Sequence, residues 1–440
     1  MSALEWKPYP EYKTTEFSWI GKIPKHWSTC RVKNLFELSK EKVIEENPQI
    51  LSLTKKGIKQ RDISNLEGQI ATTYDGYHRV NFGDIVLNPM DLRSGFVDSS
   101  PFVGIISPAY TILKPKIELS KSFYGRWFQK HYLEVIFWPF GKGVSYEHRW
   151  TLGDETLLNF PIVKPPLEEQ QKISRIINNI YELTSLIESK LLLEIDLIKE
   201  KRLAFITQVV TKGLNPDVGM KESGIRWIGE IPEHWKVSRL KYHSEIKGRI
   251  GFRGYTVKDL VEPNEGALTL GATHITRWGK INLTNPVYIS WEKYYESPEI
   301  MLSRGNILIV QRGSSSGKIG YISEEIGPAT INPSLVVIKN MSFDSKYINF
   351  LLKSDGIQKL FTSILGNTAI PMISQEQIGE IPICIPPPQE IKDILKHLNH
   401  QILSFDQMES SLKKQINKLN EYRTAIITEA VTGKIDVRSL

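Results

Sequence analysis

The string that most resembles a cofactor site runs from Gly313 to Ile319 and reads GSSSGKI. A phosphate-binding loop would need one more residue between its glycines, and a Ser or Thr at position 319 to bind magnesium. We therefore interpret the string as a loop and not as a nucleotide site. Its hydroxyls and its lysine would suit a nucleic-acid backbone, and the alternative is a plain surface loop.

Two further strings come close to the loop with which amino-methyltransferases hold the target amine, an Asn or Asp followed by two prolines and an aromatic residue. They are residues 88–91, NPMD, and residues 332–334, NPS. Both strings lack the second proline and the aromatic residue, so we predict a turn at each place. No Gly-rich turn follows a first strand in a way that would indicate cofactor binding.

Other catalytic constellations are also incomplete. Asp217 and Glu222 lack the neighbouring Lys that a metal-dependent nuclease would need. His243 and His274 each stand alone in the sequence. No nucleophile-elbow string is present, although a Ser-His-Asp hydrolase with widely spaced residues stays open. The sequence therefore predicts a chain with no cofactor, no metal site and no catalysis of its own.

The composition favours a soluble protein with a polyanionic partner. The formal net charge is +7 and the sequence pI is about 9.0. No apolar run approaches the length of a membrane span, and the first residues contain no apolar signal segment, so we expect a cytoplasmic protein without membrane contact. Cys30 and Cys384 have no Cys or His neighbour at metal spacing, which predicts free thiols in a reducing compartment.

The chain contains the same signals twice. Residues 19–27, WIGKIPKHW, return at 227–235 as WIGEIPEHW with seven of nine residues identical. Residues 202–211, RLAFITQVVT, return at 423–432 as RTAIITEAVT with six of ten identical. The chain is therefore a tandem repeat of a unit of roughly 210–220 residues, which allows a pseudo-two-fold arrangement. We interpret Trp19, Trp27, Trp227 and Trp235 as packing anchors.

Each repeat has a middle of short strand-like runs broken by Gly, Asn and Pro. A helical segment follows near 120–137 and again near 344–365, and a final strand closes each middle at NFPIVKP or EIPICIP. We predict an α/β (α+β) fold with mixed or mostly antiparallel sheets. The strand-like runs are 50–54, 84–88, 103–107 and 110–114 in the first repeat, and 267–271, 306–310 and 335–339 in the second.

A long helix is predicted after each middle. Pro165-Pro166 and Pro387-Pro388 suit a helix start, and no Pro or Gly then follows until Gly213 or Gly433. Each helix has about 45 residues, or roughly 65–70 Å at about 1.5 Å per residue. Each has one apolar stripe that it cannot bury alone. The stripes are Ile173, Ile177, Ile180, Leu183, Ile187, Leu191, Ile195 and Ile198, and Ile394, Leu398, Ile402, Phe405, Met408, Leu412, Ile416 and Leu419.

The two stripes would bury each other if the helices formed an antiparallel coiled coil. That pairing would put the two variable domains at opposite ends of a stiff spacer, whereas the alternative is that each helix lies on its own domain. We predict an N-terminal domain at 1–164, a first spacer helix at 165–213, a C-terminal domain at 214–386 and a second spacer helix at 387–440.

The variable domains contain loops with residue types that bind DNA. Arg and Lys can bind phosphates or guanine edges, and Asn can pair with adenine. The middles differ far more than their flanks, so we expect two different half-sites. The candidates are Lys55, Lys56, Lys59, Arg61, Tyr74, Tyr77, His78, Arg79, Arg93, Lys142, Tyr146, His148 and Arg149 in the first repeat, and His274, Thr276, Arg277, Trp278, Lys280, Arg312, Ser314, Ser315, Lys318, Asn367 and Thr368 in the second.

In the order of its repeated motifs, the chain resembles the specificity subunits of type I restriction-modification systems. The motifs are WIGKIPKHW with its repeat, the helix starts PPLEEQQKI and PPPQEIKDIL, and the helix ends RLAFITQVVTKG and RTAIITEAVTGK. The resemblance implies two target-recognition domains that read a split site in double-stranded DNA. It also implies that the conserved helices dock two methyltransferase subunits, and that a motor-nuclease subunit joins for cleavage. S-adenosylmethionine, ATP and magnesium would belong to those partners.

Two alternatives stay open at this point. One is the specificity subunit of a type IIB-like system, in which a single partner chain both methylates and cleaves. The other is a stand-alone enzyme that acts on DNA.

Overall fold

A computed structural model describes residues 6–42, 48–55, 57–61, 74–93, 96–143, 150–251, 254–366 and 372–438. The chain divides into two compact units. The first unit comprises residues 1–191 and 414–440, and the second comprises residues 192–413. Each long helix therefore contributes residues to both units.

The first unit begins with a domain of short strands and helices. The elements are β1 (Tyr12–Thr14), β2 (Lys22–Pro24), β3 (Ser28–Arg31), α1 (Val32–Leu35), β4 (Phe36–Ser39), β5 (Leu51–Thr54), β6 (Gly57–Gln60), β7 (His78–Val80), β8 (Ile85–Leu87), β9 (Val97–Ser99), β10 (Gly104–Ile106), β11 (Thr111–Pro115), α2 (Lys121–Leu133), α3 (Asp154–Leu158) and β12 (Pro161–Lys164). The first long helix, α4 (Leu167–Lys212), follows.

The second unit has a similar order of elements. They are β13 (Met220–Glu222), β14 (Glu230–Pro232), β15 (Lys236–Arg239), β16 (Glu245–Gly248), β17 (Leu260–Val261), β18 (Gly266–Leu270), β19 (Tyr288–Ser290), α5 (Trp291–Tyr295), β20 (Ile307–Val310), β21 (Ile319–Tyr321), β22 (Ala329–Ile331), β23 (Leu335–Lys339), α6 (Ser345–Leu352), α7 (Asp355–Gly366), α8 (Gln375–Gly379) and β24 (Pro382–Ile385). The second long helix, α9 (Pro388–Val431), follows.

Both units contain the same four-stranded antiparallel sheet. Its order is β4-β11-β8-β9 in the first unit and β16-β23-β20-β21 in the second. The outer pairs also match, since β1-β2 and β3-β12 correspond to β13-β14 and β15-β24. The duplicated sequence therefore folds into a duplicated scaffold.

The units differ in what they add to this sheet. The first unit has two antiparallel pairs, β5-β6 and β7-β10. The second unit has a further sheet in the order β17-β19-β18-β22, in which β18 and β22 run parallel. The prediction of an α/β (α+β) fold with mixed sheets is confirmed.

The helical segment predicted near 344–365 is two helices. A turn at Lys353 and Ser354 separates α6 from α7. Ser354 is fully buried, and its N–H donates to the carbonyl of Leu351. The N–H of Asp355 donates to Thr207 Oγ1, a side chain of α4, at 3.0 Å. A contact with a distant part of the chain thus fixes the start of α7, which local sequence could not indicate.

The long helices have the predicted lengths, 46 residues for α4 and 44 for α9. The acidic residues Glu168, Glu169 and Glu390 lie in the first turns, where the helix dipole favours negative charge. Gly213 and Gly433 follow the last turns with φ of 76° and 73°. That left-handed conformation favours glycine and ends a helix.

The two helices pack antiparallel within each unit. In the second unit, Arg202 pairs with Asp406 at 2.6 Å, and the Phe205 ring lies 5.4 Å from that of His397. Residue numbers therefore rise along α4 as they fall along α9. In the first unit the start and the end of the helices share one core, which contains Ile173, Ile177, Ile426, Ala430 and Val431. The predicted antiparallel coiled coil is confirmed.

The contact row on each helix differs in part from the predicted stripe. Leu183 and Ile187 are 51% and 38% exposed, whereas Thr184 is 3% exposed. Met408 is 49% exposed, whereas Glu409 is buried. Including these apolar residues was wrong, because a helix turns about 100° per residue and steps of three and four must alternate to stay on one face. The row therefore passes through the polar neighbours.

The His-Trp pair that ends each of the repeated strings WIGKIPKHW and WIGEIPEHW, called the HW motif here, anchors the start of a long helix. In the first unit, His26 Nε2 lies 2.6 Å from Glu169 Oε1, and Trp27 Nε1 donates to Glu169 Oε2 at 2.9 Å. In the second unit, His234 Nε2 and Trp235 Nε1 both contact Glu390 Oε2, at 2.8 and 3.0 Å. Each anchor thus consists of a His-Trp pair and of the Glu in the first turn of the following long helix. Both parts are present in each repeat.

Each anchor also receives the end of the other long helix. Gly433, after α9, packs on Pro24 and Trp27 in the first unit. Gly213, after α4, packs on Trp235 and Glu390 in the second unit. The helix ends are thus exchanged between the repeats, which explains why each compact unit draws on both halves of the sequence.

We predict that Gly433→Ala destabilises the first unit by about 2–5 kcal/mol. A Cβ at this position would lie 2.4 Å from Pro24 Cδ and 3.0 Å from Trp27 Cζ3, and its backbone has φ of 73°. Gly21→Ala is the matched control, because Gly21 has φ of 70° but its nearest heavy atom would be 3.9 Å away. The control should lose only about 1–2 kcal/mol. Urea unfolding of both variants measures the difference, and equal losses would contradict a role for close packing at Gly433.

Candidate nucleic-acid interface

The candidate residues of the second unit lie on two neighbouring loops. Residues 271–287 connect β18 to β19, and residues 311–318 form the tip of the antiparallel β20-β21 hairpin. The N–H of Tyr321, at the end of β21, donates to the carbonyl of Gly279 at 3.0 Å and ties the first loop to the hairpin. The string GSSSGKI therefore joins two antiparallel strands. A phosphate loop joins a strand to a helix, so the structure agrees with the rejection of a nucleotide site.

His274 shapes its loop from the inside. It is only 7% exposed, its Nδ1 accepts from the N–H of Gly271 at 2.9 Å, and its Nε2 lies 3.1 Å from the carbonyl oxygen of Asn285. Both ring nitrogens are therefore used within the protein, with the proton on Nε2. His274 positions the candidate loop and does not present a ring to a ligand, which corrects its selection as a contact residue.

The turn after His274 presents a cation at its tip. Thr276 Oγ1 accepts from the N–H of Lys280 at 3.0 Å and closes the turn. Arg277 is exposed, with its guanidinium 5.7 Å from the ring centre of Trp278. Arg202 of α4 lies over the same ring at 4.5 Å. Trp278 thus connects the loop to the long helix, while Arg277 remains accessible.

The two loops and α4 enclose a cleft of about 570 Å³. It includes Arg277, Trp278, Ser315 and Lys318 from the predicted set. Arg312 and Ser314 are exposed on the hairpin loop but do not line the cleft, and Lys280 is exposed with its Nζ 3.7 Å from Asp406. The other cations that line the cleft are Lys199, Arg202 and Lys353.

Lys353 is the residue here that sequence reasoning missed. Its Nζ donates to the carbonyl of Trp278 at 3.0 Å, beneath the turn. Burial, and to a smaller extent repulsion from Arg202, lowers the pKa of Lys353 to about 7. No local signal marks this lysine, because the groups around it come from distant parts of the chain.

The candidates of the first unit occupy two places. Lys55 and Lys59 are exposed on the β5-β6 hairpin, and the N–H of Arg61 donates to the carbonyl of Ile50 at 2.9 Å. This hairpin is tied to β9, because the N–H of Ile58 donates to Asp98 Oδ2 at 3.1 Å.

The second place lies around His78 on β7. A pocket of about 210 Å³ brings His78 together with Pro89, Thr151 and Lys40. The pKa of His78 is lowered by partial burial and then by Lys40 and Lys42, two cations that sequence reasoning did not select. The KEK run at 40–42 was the available signal.

The other described candidates of the first unit do not line this pocket. The rings of Tyr74 and Tyr77 form an edge-to-face pair with centroids 5.1 Å apart. Arg79 is half-buried, and its Nε donates to Asn81 Oδ1 at 3.1 Å. Arg93 and Lys142 are exposed on adjacent loops, since Asp91 bridges to Trp150 and Lys142 to Thr151. Lys56, Tyr146, His148, Arg149, Asn367 and Thr368 lie outside the described residues.

The strings considered for catalysis have structural roles. Asn88 Oδ1 accepts from the N–H of Met90 at 3.0 Å, and Asn332 Oδ1 accepts from that of Ser334 at 2.9 Å, so both are turns as predicted. Cys30 and Cys384 are free thiols. Burial raises the pKa of Cys384 to about 12, which disfavours the reactive thiolate.

Within the described ranges, no three His, Cys, Asp or Glu side chains gather where a metal ion could bind. Every helix found there is also too short or too polar to cross a lipid bilayer.

Comparison with known proteins agrees with the repeated motifs. Residues 254–420 match the family model described as the type I restriction modification DNA specificity domain. The type I restriction enzyme MjaVIII specificity subunit of Methanocaldococcus jannaschii is 25% identical over 304 residues, which cover 68% of this chain and 67% of that one. A second chain of that organism, named as the MjaX specificity subunit, is 23% identical over 467 residues and 99% of both chains.

A solved structure shows the same fold. A chain from a study of complex assembly and conformational transition of the type I R-M system superimposes with a TM-score of 0.65 at 14% identity, over 93% of this chain and 98% of that one. The resemblance drawn from the motifs is confirmed: residues 254–420 match the family model, and the chain is similar over 99% of its length to a protein named as a type I specificity subunit. The matched description names DNA specificity, in agreement with the prediction of a non-catalytic recognition subunit.

Proposed function

We propose that the chain reads a split, asymmetric site in double-stranded DNA, with one half-site for each unit. The observation that carries this proposal is a duplicated sheet and helix scaffold with two different sets of loops. A shared scaffold favours two similar modes of docking, while different loops favour different base preferences. The cationic loops around Arg277 and around His78 support contact with a polyanion.

We further propose that the long helices dock two methyltransferase subunits, which a motor-nuclease subunit joins for cleavage. The support is a group of exposed apolar side chains in the middle of α4. Exposed apolar side chains that lie close together favour an interface with a partner. The group comprises Leu183, Leu186, Ile187, Leu192, Leu193 and Leu197, which are between 38% and 60% exposed.

The proposal is tested by mapping methylated bases across a genome in cells that carry the chain and its methyltransferase. We expect one motif with two specified parts and an unspecified gap. The chain alone should give no methylation, because the reaction and its cofactor belong to the partner. A continuous motif, or methylation that persists without the chain, would contradict the proposal.

We predict that Arg277→Ala and Lys318→Ala have different effects on DNA binding. Arg277 is exposed at a loop tip, so its loss should relax one half-site by about 1–3 kcal/mol of discrimination. Lys318 is half-buried in the cleft, so its loss should weaken binding to all sequences and lower the salt dependence. Fluorescence anisotropy on cognate and scrambled duplexes measures both. Equal losses on both duplexes for Arg277→Ala would remove it from the base-reading set.

A further inference from the structure

The cleft in the second unit has a buried cation that the proposed base reading does not use. Lys353 lies at its base, at the end of α6, and contacts the carbonyl of Trp278. Gly279 passes so close that a Cβ there would lie 2.4 Å from Lys353 Nζ. The turn that presents Arg277 is therefore built directly on this lysine.

Some of the charges in the cleft are already compensated. Lys199 pairs with Asp196 at 2.7 Å, and Arg202 pairs with Asp406 at 2.6 Å. Arg277 is near enough to Asp196 to help Lys199 lower the pKa of that carboxyl.

Lys318 and Lys353 remain without a counter-charge. Within the described residues, neither forms an ion pair with a carboxylate, and Glu200 is the single acidic residue among those that line the cleft. Basic side chains thus outnumber Glu200 among the residues that line the cleft.

We propose that this cleft binds one backbone phosphate of DNA, with Lys353 at its base and Lys318 at its side. This inference rests on the proposed function and adds a site to it. The hairpin tip adds the hydroxyl of Ser315, a group that commonly contacts phosphates. A DNA strand with a base in contact with Arg277 would have its backbone phosphate close to the same loops. This favours DNA over an acidic segment of a protein partner.

The site predicts that DNA binding takes up a proton. The groups that face Lys353 are Lys199, Glu200 and Arg202 from α4, Asp406 from α9 through Arg202, and Arg277 and Lys318 from the loops. The pKa of Lys353 is about 7 without DNA, so a large fraction is neutral at physiological pH. A phosphate favours the charged form and raises this pKa. Affinity should then be constant below pH 7 and fall as the pH rises, by up to about tenfold per pH unit.

The experiment measures binding of the full chain to a short labelled duplex of arbitrary sequence, as a function of salt and of pH. Lys353→Met should lower the slope of log affinity against log salt by about 0.9, the value for one lost phosphate contact. It should also remove the fall in affinity above pH 7. Lys359→Met is the matched control, because Lys359 is exposed on the neighbouring helix and pairs with Asp355. It should behave as the unmodified chain.

A second variant keeps the test decisive if Lys353→Met folds poorly. Lys318→Met should lower the salt slope by the same amount and keep the pH dependence, because Lys353 is still present. A pull-down of the methyltransferase without DNA is the third measurement.

Unchanged slope and pH dependence in Lys353→Met would overturn the phosphate site and leave the proposed function intact. Loss of methyltransferase capture with unchanged DNA binding would assign the cleft to a protein carboxylate and overturn it as well. Failure of the unmodified chain to bind DNA, with and without its methyltransferase, would contradict the proposed function itself.

Discussion

A fragment of residues 1–213 is expected to form a stable homodimer and, with the methyltransferase, to direct methylation to a symmetric site. In the full chain, the core of the first unit includes Ile426, Ala430 and Val431 from the end of α9. The fragment lacks them but has their repeat equivalents at the end of α4. A second copy can therefore fill the place with Phe205, Val209 and Val210.

The driving force for this dimer is the burial of those side chains. Each fully buried Val or Phe contributes about 1.5–3 kcal/mol relative to exposure to water. The anchor adds specificity, because Gly213 of one copy would meet Trp27 of the other as Gly433 does in the full chain. Sedimentation at micromolar concentration measures the association.

Two substitutions in the fragment distinguish this interface from non-specific association. Val210→Asp should give a monomer, because Val210 is fully buried in the full chain. Leu193→Asp should leave the dimer intact, because Leu193 is 60% exposed. A stable monomer of the unmodified fragment, or equal effects of the two substitutions, would refute the exchange of helix ends. An asymmetric methylated motif would refute the equivalence of the repeats.

The second large effect concerns the gap between the half-sites, which we expect to change with the length of both long helices. Because α4 contacts α9 in both units, we expect that residues must be inserted in both helices together. Arg202 pairs with Asp406 in the second unit, and Arg423 lies 3.8 Å from Glu188 in the first. Residues added to α4 alone would shift it against α9 and break one of these two contacts.

Four residues that copy the local pattern should therefore be inserted both between Leu191 and Ile195 of α4 and between Leu412 and Ile416 of α9. Four residues add roughly 6 Å and about one turn, so the contact faces are kept. DNA advances about 3.4 Å per base pair, so the preferred gap should lengthen by one or two base pairs with both half-sites unchanged. Mapping methylated bases in cells that carry the variant measures the gap.

The matched control carries the four-residue insertion in α4 alone, and it should lose assembly and methylation. One residue inserted in α4 should also fail, because it rotates the helix by about 100°. An unchanged gap in an active variant with the paired insertion would mean that the helices only dock partners and do not set the spacing.

The sequence predicted the scaffold well, because the signals for it are local. The Pro-Pro starts, the glycines at 213 and 433 and the period of the apolar residues act within one or two helical turns. The predicted helix lengths and the strands near 84–88 and 335–339 agree with the structure. Apolar type alone misled at Leu183, Ile187 and Met408, where the geometry of the helix places polar neighbours on the contact face.

The repeated motifs showed that two parts of the chain belong together, but not how. The HW motifs were interpreted as packing anchors. Only the structure shows that His26 and Trp27 hold Glu169, and that the end of the other long helix covers them. The hydrogen bonds join residues more than 140 positions apart, and no local propensity encodes such a distance.

By itself, the sequence determined that this protein is a duplicated scaffold with two variable domains, two long helices and a family resemblance that the comparisons confirm. The tertiary structure decided which candidates meet. It turned His274 inward, brought Arg277 and Lys318 into one cleft and added Lys353 beneath them. The reason is that side-chain type sets the chemistry that a residue can perform, while burial and proximity depend on contacts between segments that are far apart in the chain.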